Sequence, residues 1–221
     1  MENYMNDYLT IALPKGKLFT ISKNLLHRVG LSADHLSEKS RKLVIENKDL
    51  KVRFIIAKTS DVPTYVEYGA ADIGIIGKDI LLESQKDVYE ILDLGFGKCH
   101  LMMAVPQKEK RRRLLDYSYT RVATKYPHIA ESFFARQGMQ MEYIKLNGSI
   151  ELGPIVGLSE SIVDIVETGT TLAENDLEEI AHILDVSARL IVNRVSFKLK
   201  FHRINEIVNN LRPIIESGEI L

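Results

Sequence analysis

Apolar residues along this chain fall into short runs separated by stretches in which they recur every three or four positions. The first run, Leu9–Leu13, predicts a buried strand. It breaks at Pro14-Lys15-Gly16-Lys17. Leu18, Ile21, Leu25 and Val29 then follow at helical spacing, with Gly30 as a C-terminal stop. Val52, Phe54 and Ile56 alternate as in a strand. Asp61 is placed to cap a helix over Val62–Tyr68 that has Pro63 in its first turn and stops at Gly69. Ala71–Asp79 reads as a strand whose glycines allow close approach of a backbone or ligand. A short helix over Ile80–Ser84 and a strand around Tyr89–Leu94 lead to Gly95-Phe96-Gly97-Lys98, read as a crossing point.

A second set starts at His100–Val105. Strands are expected at Arg121–Thr124, Met141–Lys145 and Ile162–Val166, and a helix over Pro127–Gln137 closed by Gly138. Ser149 is placed to cap a helix beginning at Ile150. Val186, Ala188, Leu190 and Val192 alternate as a strand. Phe197, Phe201, Ile204, Val208, Leu211 and Ile215 form the stripe of an amphipathic helix, which Pro213 should kink or end. Strands alternating with helices predict an α/β fold. With no repeat and no low-complexity linker, two lobes must be joined by structured crossings near Gly95–Lys98 and Asn175–Asp185. The expected division is residues 1–96 with 183–221 in one lobe and 97–182 in the other. Ligands in such folds lie at the carboxyl ends of strands, here in a crevice between the lobes.

Composition narrows the function. Of the 221 residues, 45% are hydrophobic and 27% charged, enough for real cores, and the net charge of -1 provides no global field towards nucleic acid or anionic membrane. A lone cysteine, Cys99, excludes an intrachain disulfide and fits a reducing compartment. The polar, acidic Met1–Tyr8 is not a secretory signal and no apolar run reaches membrane-spanning length, so a cytoplasmic location is expected. The six histidines lack metal-ligand spacing, so no tightly bound metal is expected.

The stretch with the most chemistry is Ser161–Asn175. Asp164 interrupts an apolar run, Glu167 ends it, and the small-residue turn Thr168-Gly169-Thr170-Thr171 precedes a segment able to start a helix. A carboxylate is costly to bury unpaired, which places Asp164 near the open end of its strand. Amides and hydroxyls of the turn could converge on a phosphate, with the two acids taking sugar hydroxyls or a magnesium ion. The same order of residues also suits a strand, a tight turn and a capped helix with no ligand.

Longer motifs carry a resemblance. Leu13–Leu18, the block Asp61–Ile75 with Gly77-Lys78-Asp79, Leu146–Leu152 and Asp164–Leu172 resemble, in order, the motifs of ATP phosphoribosyltransferases. The match runs from about Leu9 to Leu211. The chain is similar to the short form of that family, which lacks a C-terminal histidine-binding domain and works with a separate regulatory subunit related to histidyl-tRNA synthetases. The resemblance implies a two-lobed fold like type II periplasmic binding proteins, and a catalytic homodimer within a hetero-octamer.

It also implies the reaction. Adenine N1 of ATP attacks the anomeric carbon of phosphoribosyl pyrophosphate (PRPP) and pyrophosphate leaves, with Mg²⁺ arriving with the substrates. By the resemblance, the PRPP phosphate falls on Thr168, Gly169, Thr170 and Thr171, its ribose on Asp164 and Glu167, with Glu151 in the same site. Arg41, Lys58 and Lys15 are the implied catalytic cations; many family members have arginine at the position of Lys58. ATP is implied at Lys15, Asp72 and Gly74. Two alternatives stay open from the residues alone: a non-catalytic two-lobed binding module, and a phosphoribosyltransferase for another base.

Overall fold

A computed structural model describes residues 8–31, 36–37, 42–109 and 113–218. In chain order the first elements are β1 (Leu9–Pro14), α1 (Lys17–Arg28), β2 (Val44–Asn47), β3 (Val52–Ala57), α2 (Val62–Glu67), β4 (Ile73–Gly77), α3 (Lys78–Ser84) and β5 (Tyr89–Asp93). Then come β6 (Cys99–Pro106), β7 (Arg121–Thr124), α4 (Pro127–Arg136), β8 (Glu142–Lys145), α5 (Leu152–Ile155), β9 (Ser161–Val166), α6 (Thr170–Glu174) and β10 (Leu177–Val186). The chain ends in β11 (Ala188–Val192), α7 (Arg194–Leu199) and α8 (Phe201–Glu216). Two compact units result: Met1–Gly97 with Ser187–Leu221, and Lys98–Val186.

The first unit holds a sheet of order β2-β3-β1-β4-β11-β5. Strands β3, β1 and β4 are parallel, whereas β2 and β11 run antiparallel to their neighbours. All six residues of β1 are buried, which is why it reads as a continuous apolar run. One face of the sheet packs on α1 and α8 through Phe19, Leu25, Leu26, Ile204, Val208 and Leu211. Covering the other face, α2 contributes Val62 and Val66 to a cluster with Ile76 and Ile191.

In the second unit the order is β10-β6-β9-β7-β8. Here β7, β8 and β9 are parallel, and β6 runs antiparallel to both β9 and β10. Ile150, Leu172 and Leu177 close over Ala104, Ala123, Ile162 and Val166.

Several local expectations change. Residues 177–185, expected to lie in a crossing segment, are an antiparallel strand on β6 with two register shifts. Their pattern of half-buried residues has no clean period of two, because bulges break the alternation. Asp61 lies in a 3-10 turn, Thr59–Asp61, ahead of α2 and makes no capping bond; it accepts from the Ser60 hydroxyl at 3.0 Å. Ser149 has φ 48, and the helix begins only at Leu152. The C-terminal stripe belongs to two helices, broken at Lys200, and α8 runs through Pro213 to Glu216. Pro213 lies in the last turn on the exposed side, where water can take the bond that its missing N–H leaves unmade at the exposed Asn209. Among the described residues no helix is long and apolar enough to cross a membrane.

Candidate active site

In the second unit, the parallel strands β7, β8 and β9 send their carboxyl ends to one edge of the sheet. The segments leaving that edge are Lys125-Tyr126, Leu146–Glu151 and Glu167–Gly169. Two of these three carry residues assigned to PRPP by the resemblance, so topology brings separate sequence blocks to one place.

Asp164 is half-buried, two residues before the end of β9 and opposite Met102 of β6. It sits inside the strand's register, not at its tip. The Ile165 N–H donates to its Oδ1 at 2.8 Å. Glu167 is the first exposed residue after the strand. Gly169 has φ 75 and ψ -3, a left-handed conformation that a side chain would strain, and it turns the chain directly into α6. On either side of it the hydroxyls of Thr168 and Thr170 stand 3.0 Å apart. Thr170 and Thr171 are exposed, while Leu172, 7% exposed, pins the turn to the core. The Asn175 side-chain amide donates to the Thr171 carbonyl at 2.8 Å and closes the five-residue helix. With so short a helix, any attraction for an anion comes from the turn's own amides and hydroxyls more than from an aligned dipole. Glu151, half-buried, precedes α5 with helical backbone angles.

The first unit offers cations at the corresponding edge of its own sheet. Pro14 of β1 is in register with Ala57 of β3, so Lys15 and Lys58 leave neighbouring parallel strands side by side. The Lys15 N–H donates to the Ala57 carbonyl at 2.8 Å, and the Thr59 hydroxyl donates to the Lys15 carbonyl at 3.2 Å. Both lysines are exposed. Next to them Gly16, at φ 91, starts α1 without a side-chain cap, and the Phe19 N–H donates to its carbonyl at 2.9 Å. Lys78, one strand over, is paired with Glu90. Arg41 lies outside the described residues.

Asp72 and Gly74 have different work from that expected. Asp72 is 5% exposed and both its oxygens serve the fold. Its Oδ1 accepts from the Ser196 hydroxyl at 2.6 Å, and its Oδ2 from the Thr10 N–H at 2.8 Å and the Lys200 ammonium at 2.7 Å. Gly74 lies under α2: a Cβ there would stand 2.8 Å from Val66 Cγ2 and 2.9 Å from Val62 Cγ1. Its lack of a side chain serves helix-on-sheet packing, and neither residue presents a free group to ATP. Sequence reasoning missed Lys200, Ser196 and Thr10 as the partners of Asp72, since no local pattern joins positions so far apart in the chain.

A parallel-strand edge with a threonine-glycine turn behind a carboxylate, and a second such edge with paired lysines, suits two polyanionic substrates. The family model described as ATP phosphoribosyltransferase matches residues 58–213. The chain belongs to the ATP phosphoribosyltransferase family. A relative of that name from Desulfitobacterium hafniense is 52% identical over 216 residues, covering 95% of the chain and 97% of the relative. Another from Syntrophotalea carbinolica is 51% identical over 212 residues, covering 96% and 97%. Among solved structures, the ATP phosphoribosyl transferase (HisG:HisZ) complex from Thermotoga maritima aligns with TM-score 0.80 at 32% identity, covering 95% of the chain and 99% of its counterpart. A substrate-binding protein of an amino acid ABC transporter aligns with TM-score 0.62 at 12% identity, covering 96% and 95%, which shows the shared type II binding-protein fold and nothing about activity. The protein is thus an enzyme of phosphoribosyl transfer, and its reaction is the first step of histidine biosynthesis.

Proposed function

We propose that the Glu167–Thr171 turn holds the 5-phosphate of PRPP, with Asp164 and Glu167 on the ribose hydroxyls and Glu151 lining the same edge. The observation that carries this reading is the left-handed Gly169 set between two threonine hydroxyls 3.0 Å apart, directly behind a strand that bears Asp164. Lys15 and Lys58 supply positive charge for the triphosphate of ATP and for departing pyrophosphate; Arg41 joins them on the resemblance alone. In the reaction the adenine N1 lone pair forms the new bond to the anomeric carbon as the bond to the pyrophosphate oxygen breaks. Transfer of this kind needs two anions held in line and charge neutralised on the leaving group, and little covalent help from the protein.

The carboxylates of Asp164 and Glu167 are hard oxygen donors of the type Mg²⁺ takes. Among the described residues no group of three or more His, Cys, Asp or Glu side chains forms a metal cage. A magnesium ion carried on the substrate phosphates needs only one or two carboxylates, and it would offset charge on the pyrophosphate. By analogy with the Thermotoga complex, a separate regulatory subunit is the partner. We place the enzyme in the cytoplasm as a homodimer within a hetero-octamer.

The test is pyrophosphate release from PRPP, ATP and Mg²⁺ by the pure chain, alone and with a regulatory subunit. Release dependent on ATP is expected, and lost on replacing Lys58 by Met but kept with Lys58→Arg. No release under any partner condition overturns the reading, and release with another base in place of ATP reassigns the acceptor.

A further inference from the structure

The two segments assigned to PRPP in the second unit converge on one buried residue. Thr124 is the last residue of β7 and is 0% exposed. Its Oγ1 donates to the carbonyl of Val163, the residue before Asp164, at 2.7 Å. The same oxygen accepts from the Tyr126 N–H at 2.9 Å, which closes the turn into Pro127 and α4. On the other side the Thr124 carbonyl accepts from the Leu146 N–H at 3.0 Å, where the segment leading to Glu151 leaves β8. A single residue therefore fixes the end of β9 that carries Asp164, the end of β8 that leads to Glu151, and the turn between β7 and α4.

Backbone pairing alone would not require a hydroxyl there. Thr124 is in register with Val163 in the parallel ladder, and its side chain adds a bond to the neighbouring strand's carbonyl just where the ladder ends. Valine has the same shape and would fill the same space. The hydroxyl's contribution is to hold the exits of β7 and β9 at a fixed separation.

We infer that Thr124 is a positioning residue for PRPP: it touches no substrate and sets where Asp164 stands relative to the β8 exit. This rests on the assignment of Asp164 to the ribose. A misplacement of about 1 Å at a reacting or binding group is enough to cost a large factor in rate. Thr124→Val should therefore raise KM for PRPP about tenfold, the scale of one lost hydrogen bond, and leave KM for ATP within about twofold. Thr124→Ser, which keeps the hydroxyl, should restore PRPP KM. Phe134→Leu, a core substitution in the same unit, serves as the control for general loosening and should leave both KM values near wild type.

Steady-state kinetics of the four proteins, with PRPP binding by calorimetry in the absence of ATP, decide the matter. Equal changes in both KM values, or a Thr124→Val enzyme with wild-type PRPP binding, overturn the proposal. Should Thr124→Val fail to fold, Thr124→Cys replaces the hydroxyl by a weak donor of similar size, and the same two outcomes apply to it. Asp164→Asn is measured alongside. If it weakens PRPP binding and Thr124→Val does not, only the positioning role falls. If Asp164→Asn has no effect, the assignment of the ribose itself falls.

Discussion

The ammonium of Lys200 stands 2.7 Å from the buried carboxylate of Asp72, across 128 positions of sequence. Lys200 also donates to the Tyr8 carbonyl at 2.7 Å, and the Asn193 N–H donates to the Asp72 carbonyl at 2.9 Å. The group ties the start of β1 and the start of β4 to the junction of α7 and α8. It explains why the C-terminal helix breaks at Lys200: the backbone there, at φ -114 and ψ 24, turns the side chain's stem inward to this anion.

Removing one partner of a buried ion pair leaves the other charge uncompensated. Lys200→Ala should therefore lower unfolding free energy by about 3 kcal/mol in urea titrations, with PRPP binding by the folded fraction unchanged. A loss below about 1 kcal/mol, the scale of an exposed pair, would show that water reaches Asp72 and that the network is not what holds the helix junction.

Gly74 gives a second, opposite kind of prediction. The space above it is filled by Val62 and Val66, and by Ile191 Cγ1, 3.1 Å from where a Cβ would stand. Gly74→Ala forces α2 away from the sheet and should cost about 1–3 kcal/mol by overpacking. Val66→Ala in the same protein should return part of that loss, because the cavity and the added methyl offset each other. Additive losses in the double mutant would refute the steric account.

These two residues show where sequence was legible and where it was not. The α/β alternation, the buried run of β1 and the glycine stops were readable because each follows from a local period or a backbone requirement. The turn around Gly169 was readable for the same reason: a left-handed residue between small polar ones has few substitutes. Asp72 and Gly74 looked like ligand residues because a buried acid and a glycine-lined strand have the same local signature whether the neighbour is ATP or another part of the chain. Only the tertiary partners, Lys200 and Val66, separate the two. Thr124 carried no signal at all, since a threonine at a strand end is ordinary until Val163 and Leu146 are placed beside it. β10 was hidden by its two bulges.

The PRPP assignment makes a paired kinetic prediction. Asp164→Asn removes the charge that would accept from ribose hydroxyls, and hydrogen bonds to a charged group are worth about 1.5–3 kcal/mol. PRPP KM should rise roughly tenfold to a hundredfold. Thr171→Ala removes one neutral hydroxyl and should cost about tenfold or less. Both proteins should keep wild-type far-ultraviolet circular dichroism and wild-type KM for ATP, since Thr171 is exposed and Asp164 half-buried. Unchanged PRPP kinetics in both variants would falsify the cradle.

At the other end of the same strands, Arg121 and Glu160 clamp the start of β7 to the start of β9. The Arg121 guanidinium donates to Glu160 Oε1 at 2.6 Å and the Arg121 N–H to Oε2 at 2.8 Å. The guanidinium bond, opposed by partial burial and helped by the backbone N–H, holds the Glu160 carboxyl below its ordinary value of 4.5, and the same bond holds Arg121 above its own. A depressed carboxyl pKa adds stability that is complete above the unfolded value and is lost as pH falls through the folded one. With the side chains 39% and 28% exposed, screening limits the gain to about 1 kcal/mol. Glu160→Gln should therefore be less stable than wild type by that amount at pH 7, and the difference should close as pH drops below about 4.5. Thermal melts at pH 7, 5, 4 and 3 read the difference directly; a gap that stays constant to pH 3 would mean that the carboxylate's charge contributes nothing. PRPP KM should not move in this variant, because the clamp lies at the amino end of β9 and Asp164 near the carboxyl end.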